Sequence, residues 1–177
     1  EFRRVLFRSD MAALWQFRAG AGKLSIEESL WVDGEGRPLA AMLRPAKRPS
    51  GREARGFLRR LVRAIRSHWP RVEITVRADS HYCAPEVLDF CRAEGLSYLL
   101  GVAPTTTLRR HILALEQSTV ALRGTAPGAP KRRRFTEFYD GAASWSRVER
   151  VIARVEAGPD GVDTRFIVTN LPGGTPR

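Results

Sequence analysis

The chain has 177 residues, of which 43% are apolar and 28% charged, a balance typical of one globular domain and not of a disordered or fibrous protein. Its formal net charge of +11 indicates a polyanionic partner. No run approaches the roughly 18 apolar residues that a membrane span needs, which excludes an integral membrane protein. The two cysteines, Cys83 and Cys91, are too few for a disulfide scaffold or a four-ligand zinc site. We therefore expect a cytoplasmic protein with reduced thiols.

The two ends of the chain look unlike parts of a fold. Residues 1–9 have no helix or strand periodicity, and Val5–Ser9 resembles the accidental translation of a short-read sequencing adapter. We interpret residues 1–9 as an appended scar that lies outside the fold; the alternative is a basic disordered arm. Residues 10–28 are interpreted as a divergent or frameshifted segment. Residues 172–177 form a loop just after a strand-like run, the pattern expected of a truncated chain.

The central part of the chain gives clearer patterns. Two apolar runs on either side of Asp33–Gly36 predict a β-hairpin. Ser50 and Glu53 have the spacing of a capping box, and apolar residues then recur every three to four positions, so we expect a helix that ends at about Trp69, before Pro70. Arginines cluster on the other face of this predicted helix: Arg52, Arg55, Arg59, Arg63 and Arg66.

Strands and helices then alternate. A strand is predicted over Val72–Asp79, with its even-numbered residues packed against a helix layer. A second helix is predicted to begin at Pro85 and to end at Gly95. A second strand follows at Leu96–Ala103, and a third helix is predicted from Leu108 to about Gln117. Residues 123–134 are predicted to be a loop rich in Gly, Pro and basic residues. Three strand-like runs follow: Arg134–Tyr139, Arg147–Glu156 and Thr164–Thr169. This order predicts an α/β layer fold.

Asp79 is the best candidate for chemistry. It falls at the carboxyl end of a predicted strand, where open α/β sheets place functional groups, and a carboxylate there can ligate Mg²⁺. The alternative, usual for a single Asp, is that it bonds the following turn. A metal site of His81 with Cys83 and Cys91 is disfavoured, because Cys91 is predicted on a buried helix face. A nucleophile pair of Ser80 with His81 is disfavoured because neighbours on an extended segment point to opposite sides.

Two basic clusters are candidates for nucleic-acid contact. The first is the set of helix arginines, in a stretch (Arg44–Arg71) that holds ten basic residues and one acid. The second cluster consists of Lys131, Arg132, Arg133 and Arg134. A nearly pure arginine face suits phosphates, since each neutralised phosphate adds salt-dependent affinity. The alternative is an arginine face that only contacts solvent.

Short motifs run in a fixed order through Trp31–Leu171. They are Gly36–Ala40, Leu43–Pro45, Pro49–Glu53, Ile65–Pro70, Arg77–Tyr82, Glu94–Gly101 with Ala103, Ser144–Ser146, Glu149–Arg150 and Arg165–Leu171. Together these motifs resemble bacterial insertion-sequence transposases of the DDE superfamily, in the group named after insertion sequence thirteen-eighty.

The resemblance implies an RNase H-like catalytic core with a β-rich insertion, three catalytic carboxylates and Mg²⁺. Asp79 matches the second catalytic Asp and is therefore the expected metal ligand. The role of the first carboxylate is assigned to neither Asp10 nor Asp33, and the third is expected beyond Arg177. The intact enzyme would nick DNA and transfer strands at transposon ends, as a homodimer associated with the bacterial nucleoid. This chain would be a central fragment, inactive alone.

On this interpretation residues 29–122 form a partial RNase H-like core, and residues 123–171 form the β-rich insertion. The alternative, from a different functional class, is a non-catalytic, arginine-rich nucleic-acid-binding domain in which Asp79 is a turn residue. An acidic residue on an upstream strand and a Glu on a downstream helix in the intact reading frame would favour the transposase.

Overall fold

The structure is a computed structural model, and it divides into two compact units, Glu1–Leu100 and Gly101–Arg177. The residues that it describes are 5–8, 14–19, 22–32, 38–45, 49–124 and 128–173. The first unit contains a mixed sheet with two helices, and the second contains one helix and an antiparallel ladder. The predicted α/β architecture is therefore confirmed.

The six strands that begin in the first unit form a mixed sheet. They are β1 (Val5–Arg8), β2 (Leu14–Ala19), β3 (Gly22–Val32), β4 (Pro38–Pro45), β5 (Ile74–Ala78) and β6 (Ser97–Val102). β3 pairs antiparallel with β1, β2 and β4, while β5 lies between β1 and β6 and runs parallel to both. The predicted pairing of the two hairpin strands is confirmed, since Leu30 of β3 lies opposite Ala41 of β4. The predicted turn, Asp33–Gly36, lies outside the described residues.

β1 differs from the expectation for the start of the chain. Residues 1–9 are predicted to lie outside the fold, but Val5–Arg8 pairs in parallel with β5, and Val5 lies opposite Ile74. The physical reason is that Val5, Leu6 and Phe7 form a continuous apolar run, which is typical of a strand with a parallel neighbour such as β5. The interpretation of residues 1–9 as an appended scar concerns their origin, and it stays a prediction.

Two helices, α1 (Gly51–His68) and α2 (Pro85–Ala93), accompany this sheet. α1 begins with the predicted capping box: the Ser50 hydroxyl accepts from the Glu53 N–H at 3.2 Å, and the Glu53 carboxylate accepts from the Ser50 N–H at 2.8 Å. Its buried side contains Ala54, Leu58, Leu61, Val62 and Ile65. The apolar spacing in the sequence therefore predicts this helix correctly, because capping and periodicity are both local.

α1 and α2 are in contact near both of their ends. A Cβ atom on Gly51 would clash with the Glu86 carboxylate and lie 2.8 Å from the Ala84 Cβ, so glycine permits the close approach of the two N-termini. At the C-terminal ends, Arg66 donates to the Glu94 carboxylate at 2.8 Å and to the Glu94 carbonyl at 2.6 Å. One small residue and one ion pair therefore join the two helices at their ends, in addition to the apolar side chains that α2 buries.

β5 buries more of its surface than its alternating pattern predicts. Ile74 and Val76 are buried as expected, but Thr75, on the opposite face, is also buried. A strand with parallel neighbours on both sides is covered on both faces, which is why one-sided burial is the wrong expectation here. In the neighbouring strand β6, Tyr98 and Leu100 are fully buried.

The second unit consists of α3 (Thr106–Arg123) and the strands β7 (Arg132–Asp140), β8 (Glu149–Gly158) and β9 (Gly161–Thr169). β8 pairs antiparallel with both β7 and β9, which confirms the three predicted strands. α3 packs on one face of this ladder, where the His111 ring stacks on Phe138 at 4.3 Å and Phe138 meets Phe166 edge-on.

Several predicted boundaries in this unit are wrong. β8 begins at Glu149 and not at Arg147, and β9 begins at Gly161 and not at Thr164. α3 continues to Arg123 and not to about Gln117, and it ends at Gly124, whose φ of 71° suits glycine. Helical spacing predicts that Leu108, Ile112 and Leu115 lie on the buried side of this helix. Leu108 and Ile112 are buried, whereas Leu115 is half-buried. Residues 132–134 belong to β7 and not to a loop. Among the helices that the structure describes, none combines the length and apolar character required to cross a membrane.

Candidate active site and nucleic-acid surfaces

Asp79 follows β5 directly, and its side chain is about half exposed. One carboxylate oxygen, Oδ1, accepts the His81 backbone N–H at 2.9 Å, and the Asp79 carbonyl accepts the Tyr82 N–H at 3.2 Å. The other oxygen, Oδ2, lies 3.4 Å from the His81 Nδ1. Asp79 therefore closes the turn that leads towards α2. A carboxylate has about four acceptor sites, so the contacts with His81 leave part of the ligand capacity of Asp79 unused.

Asp79 alone does not make a metal centre. Within the described ranges, no three His, Cys, Asp or Glu side chains are grouped so that they could hold a metal ion. Asp10 and Asp33 lie outside the described residues. Firm binding of Mg²⁺ needs several oxygen ligands. The described residues supply one, the Asp79 carboxylate, and so do not form a complete site for this ion. No catalytic step can be derived from them alone.

Both cysteines are packed thiols, as the sequence predicts. Among the described residues neither Cys83 nor Cys91 forms a disulfide bond, and both side chains are buried. Burial raises the pKa of the Cys91 thiol to about 12, against the smaller opposing effect of the Arg92 charge. A thiol that stays protonated at neutral pH is a poor nucleophile and a poor metal ligand. Cys91 therefore contributes to packing.

The arginine face of α1 is exposed over most of its length. Arg52, Arg55, Arg59 and Arg63 are exposed, and within the described part of the chain none of them makes an ion pair or a hydrogen bond. Arg66, the fifth predicted arginine, is half-buried and is bound to Glu94 as described above. Four of the five predicted arginines therefore present free guanidinium groups.

Gly56 lies on this same face of α1. A helix turns about 100° per residue, which places Gly56 beside Arg52, Arg59 and Arg63. A Cβ atom at Gly56 would meet no atom within 4 Å, so nothing in the described structure requires glycine there. Glycine in a helix interior is less favourable than alanine by about 1 kcal/mol. The arginine face thus includes one position without a side chain, and this glycine lowers the stability of the helix.

The second basic cluster is not a free loop. Arg133 Nε donates to the Glu156 carboxylate at 2.7 Å, and Lys131 Nζ lies 3.5 Å from the same carboxylate. The hydrogen bond from Arg133 lowers the pKa of the Glu156 carboxyl. Arg134 donates to a hydroxyl of α3 at 2.7 Å. Arg132 is exposed and, among the described residues, has no charged partner. Most of this cluster is therefore engaged within the second unit.

Phe135 and Tyr139 are candidate binding residues that the sequence patterns miss. Both lie on β7, on the face opposite to Phe138, and their side chains are 61% and 68% exposed. A signal for them is present in the sequence, because period-two alternation along the predicted strand Arg134–Tyr139 places both on the face opposite to Phe138.

The chain matches the family described as transposase DDE domain group 1 over residues 29–177. The match includes α1, Asp79 and the described part of the second unit. Among curated proteins, none matches the chain. The mixed α/β sheet with its flanking helices is consistent with the RNase H-like domain of DDE transposases. Since the match covers well over half of the sequence, the chain belongs to the DDE transposase domain family, group 1.

Proposed function

We propose that this chain is the part of an insertion-sequence transposase that supplies one metal-binding carboxylate, Asp79, and an arginine surface for DNA. The family implies transposition with DNA as the substrate, and domains of this family generally use a divalent metal ion. The observation that carries the proposal is the position of Asp79, a half-exposed carboxylate at the end of the central parallel strand β5. The ordered motifs that resemble the group of insertion sequence thirteen-eighty support it.

Asp79 would hold a metal ion through the acceptor sites that His81 leaves free. When bound, such ions activate water or a 3′-hydroxyl and stabilise the leaving oxygen during DNA strand nicking and strand transfer. The part of this chain is to orient the carboxylate: buried residues fix β5, and the His81 amide fixes one carboxylate oxygen. The described residues supply one ligand, so we expect no nicking by this chain alone. The intact enzyme is expected to act as a homodimer.

Asp79→Asn separates a metal-binding role from a turn role. The amide oxygen of Asn still accepts the His81 N–H, so the free energy of unfolding should change by less than about 0.5 kcal/mol. In an intact transposase that contains this sequence, Mg²⁺-dependent plasmid nicking should be abolished. If nicking persists in Asp79→Asn and is lost only in Asp79→Ala, Asp79 is a turn residue. The alternative of a non-catalytic nucleic-acid-binding domain would then be favoured.

The arginine face of α1 is expected to contact DNA phosphates. Arg52 and Arg63 are eleven positions apart, which corresponds to about 16 Å along the helix and is long enough to follow several phosphates. Free guanidinium groups release counterions from the DNA when they bind, whereas those already paired with carboxylates release fewer. Contacts of this kind position a protein on DNA without reading its sequence.

The salt dependence of duplex binding tests this surface. Arg59→Gln with Arg63→Gln should reduce the slope of log affinity against log salt by about two, because each phosphate contact contributes about 0.9. Arg66→Gln is the matched control, because its guanidinium is bound to Glu94, and it should leave the slope unchanged. Fluorescence anisotropy on a random-sequence duplex gives both slopes. Equal slopes in the double variant and the unmodified chain would show that these arginines contact solvent and not DNA phosphates.

A further inference from the structure

The ladder formed by β7, β8 and β9 has two unlike faces. One face packs on α3 through Phe138 and Phe166. The other, called the open face from here on, consists of the side chains that alternate with these along each strand. It includes Arg133, Phe135, Glu137 and Tyr139 of β7, Arg150, Ile152, Arg154 and Glu156 of β8, and Asp163, Arg165 and Ile167 of β9. Two aromatic side chains, Phe135 and Tyr139, are mostly exposed on this face.

Each of these aromatic residues lies opposite an arginine in the neighbouring strand. Phe135 is paired with Arg154, which in turn is paired with Arg165, and Tyr139 is paired with Arg150. Side chains that are directly opposite in a ladder have Cβ atoms about 5 Å apart, so each ring lies beside an arginine side chain of the neighbouring strand. Within the described part of the chain, neither ring stacks on another ring or on a cation. The exposed surface of each ring is therefore available to a ligand.

The carboxylates of the open face hold the arginines in place without neutralising all of them. Asp163 Oδ2 accepts from Arg154 at 2.7 Å and from Arg165 at 3.2 Å. The other groupings are Glu156 with Arg133 and Lys131, and Glu137 with Arg150. Five cations thus share three carboxylates. The open face therefore combines ordered cations, an excess of positive charge and exposed aromatic rings.

We propose that the open face binds unpaired bases of single-stranded or locally opened DNA, which stack on Phe135 and Tyr139 while the excess positive charge contacts phosphates. This inference rests on the proposed function, which names DNA as the substrate. Aromatic rings next to cations form the usual platform for single strands, because every base has a flat face and a neighbouring phosphate. In a duplex those flat faces are covered by stacking, so an unpaired base is required.

The geometry also favours this ligand over a second copy of the chain. Four residues along an antiparallel strand cover about 13 Å, so Phe135 and Tyr139 would take two different bases. A two-fold contact between two open faces would instead bring the same excess positive charge together, which opposes association.

An abasic oligonucleotide tests the stacking directly, because it keeps the phosphates and lacks the bases. We expect the full chain to bind a mixed-sequence single strand more tightly than an abasic strand of equal length, by about five- to a hundredfold for each stacked base. Phe135→Ala with Tyr139→Ala should abolish this difference and leave binding of the abasic strand unchanged. Leu113→Ala is the control, since it removes another side chain that is 55% exposed, from α3 in the same unit.

Each other outcome overturns the inference. Equal binding of the two strands by the unmodified chain, or a preference that persists in the double alanine variant, would exclude stacking on these rings. A double variant that converts a dimer into a monomer in sedimentation, with the base preference unchanged, would assign the open face to self-association. Failure here is distinguishable from failure of the proposed function, because Arg59→Gln with Arg63→Gln changes the salt dependence of duplex binding and not the ratio between the two strands.

Discussion

Gly56→Ala should change stability and DNA binding in opposite directions. Gly56 lies in the interior of α1, where alanine is more favourable than glycine by about 1 kcal/mol. A Cβ atom at this position would meet no atom within 4 Å, so no clash offsets the gain. We therefore expect the free energy of unfolding to increase by about 0.5–1 kcal/mol. A shift of the urea midpoint at an unchanged slope measures this increase.

The same methyl group would stand among the free arginines of α1. If a phosphate backbone approaches the helix closest at Gly56, the added group holds it away from Arg52, Arg59 and Arg63. A loss of about 1 kcal/mol of binding free energy corresponds to an increase of about fivefold in the Kd for a duplex. Gly56→Gln, which is bulkier, should weaken binding further. Ala64→Gln is the control, because Ala64 is exposed on α1 outside the arginine face.

Two results would refute this reasoning. If both substitutions at Gly56 leave the duplex Kd unchanged while the chain becomes more stable, DNA does not approach this face closely and its arginines contact only solvent. If Gly56→Ala lowers the free energy of unfolding, position 56 is packed against another group, and the argument from helix propensity fails.

Three further predictions concern the packing of each unit. Gly51→Ala should cost about 1–3 kcal/mol in a urea titration, because its Cβ would meet Ala84 and Glu86. The pKa of Cys91 rises from 9.0 to about 12 on folding, so the unfolded chain ionises first and stability should fall as pH rises from about 9 towards 12. Cys91 should accordingly resist alkylation at pH 8 until the chain unfolds. Arg150→Gln should cost about 1.5–3 kcal/mol, since Arg150 donates to Glu137 and to the Leu171 carbonyl.

The sequence predicts the elements that local interactions define. The start of α1 follows from Ser50 and Glu53, three residues apart, and its buried side follows from apolar residues spaced along a single helix. The end of α3 is harder to predict because Ser118 and Thr119, which have low helix propensity, come before Arg123. In the structure both hydroxyls donate to the Leu115 carbonyl, and the helix continues.

The candidate site is only partly predictable from sequence, because its charges are paired over long distances in the chain. Arg66 and Glu94 are 28 positions apart, and Arg133 and Glu156 are 23 apart, so no local pattern identifies either pair. The position of Asp79 at a strand end is predictable, since the alternation that precedes it is local. The bond from the His81 N–H to Asp79 depends on the turn geometry, and a single Asp is compatible with either role until that geometry is known.

A net charge of +11 does not by itself locate a DNA surface, because an arginine is useful for binding only if no carboxylate of the protein already occupies it. Within the part of the chain that the structure describes, Arg52, Arg55, Arg59 and Arg63 of α1 have no carboxylate partner. On the open face the carboxylates order the arginines beside aromatic rings. The first arrangement suits the continuous charge of a duplex backbone, where sequence does not matter. The second suits a ligand with flat faces as well as charge, so the two surfaces should differ in their response to salt and to the loss of bases.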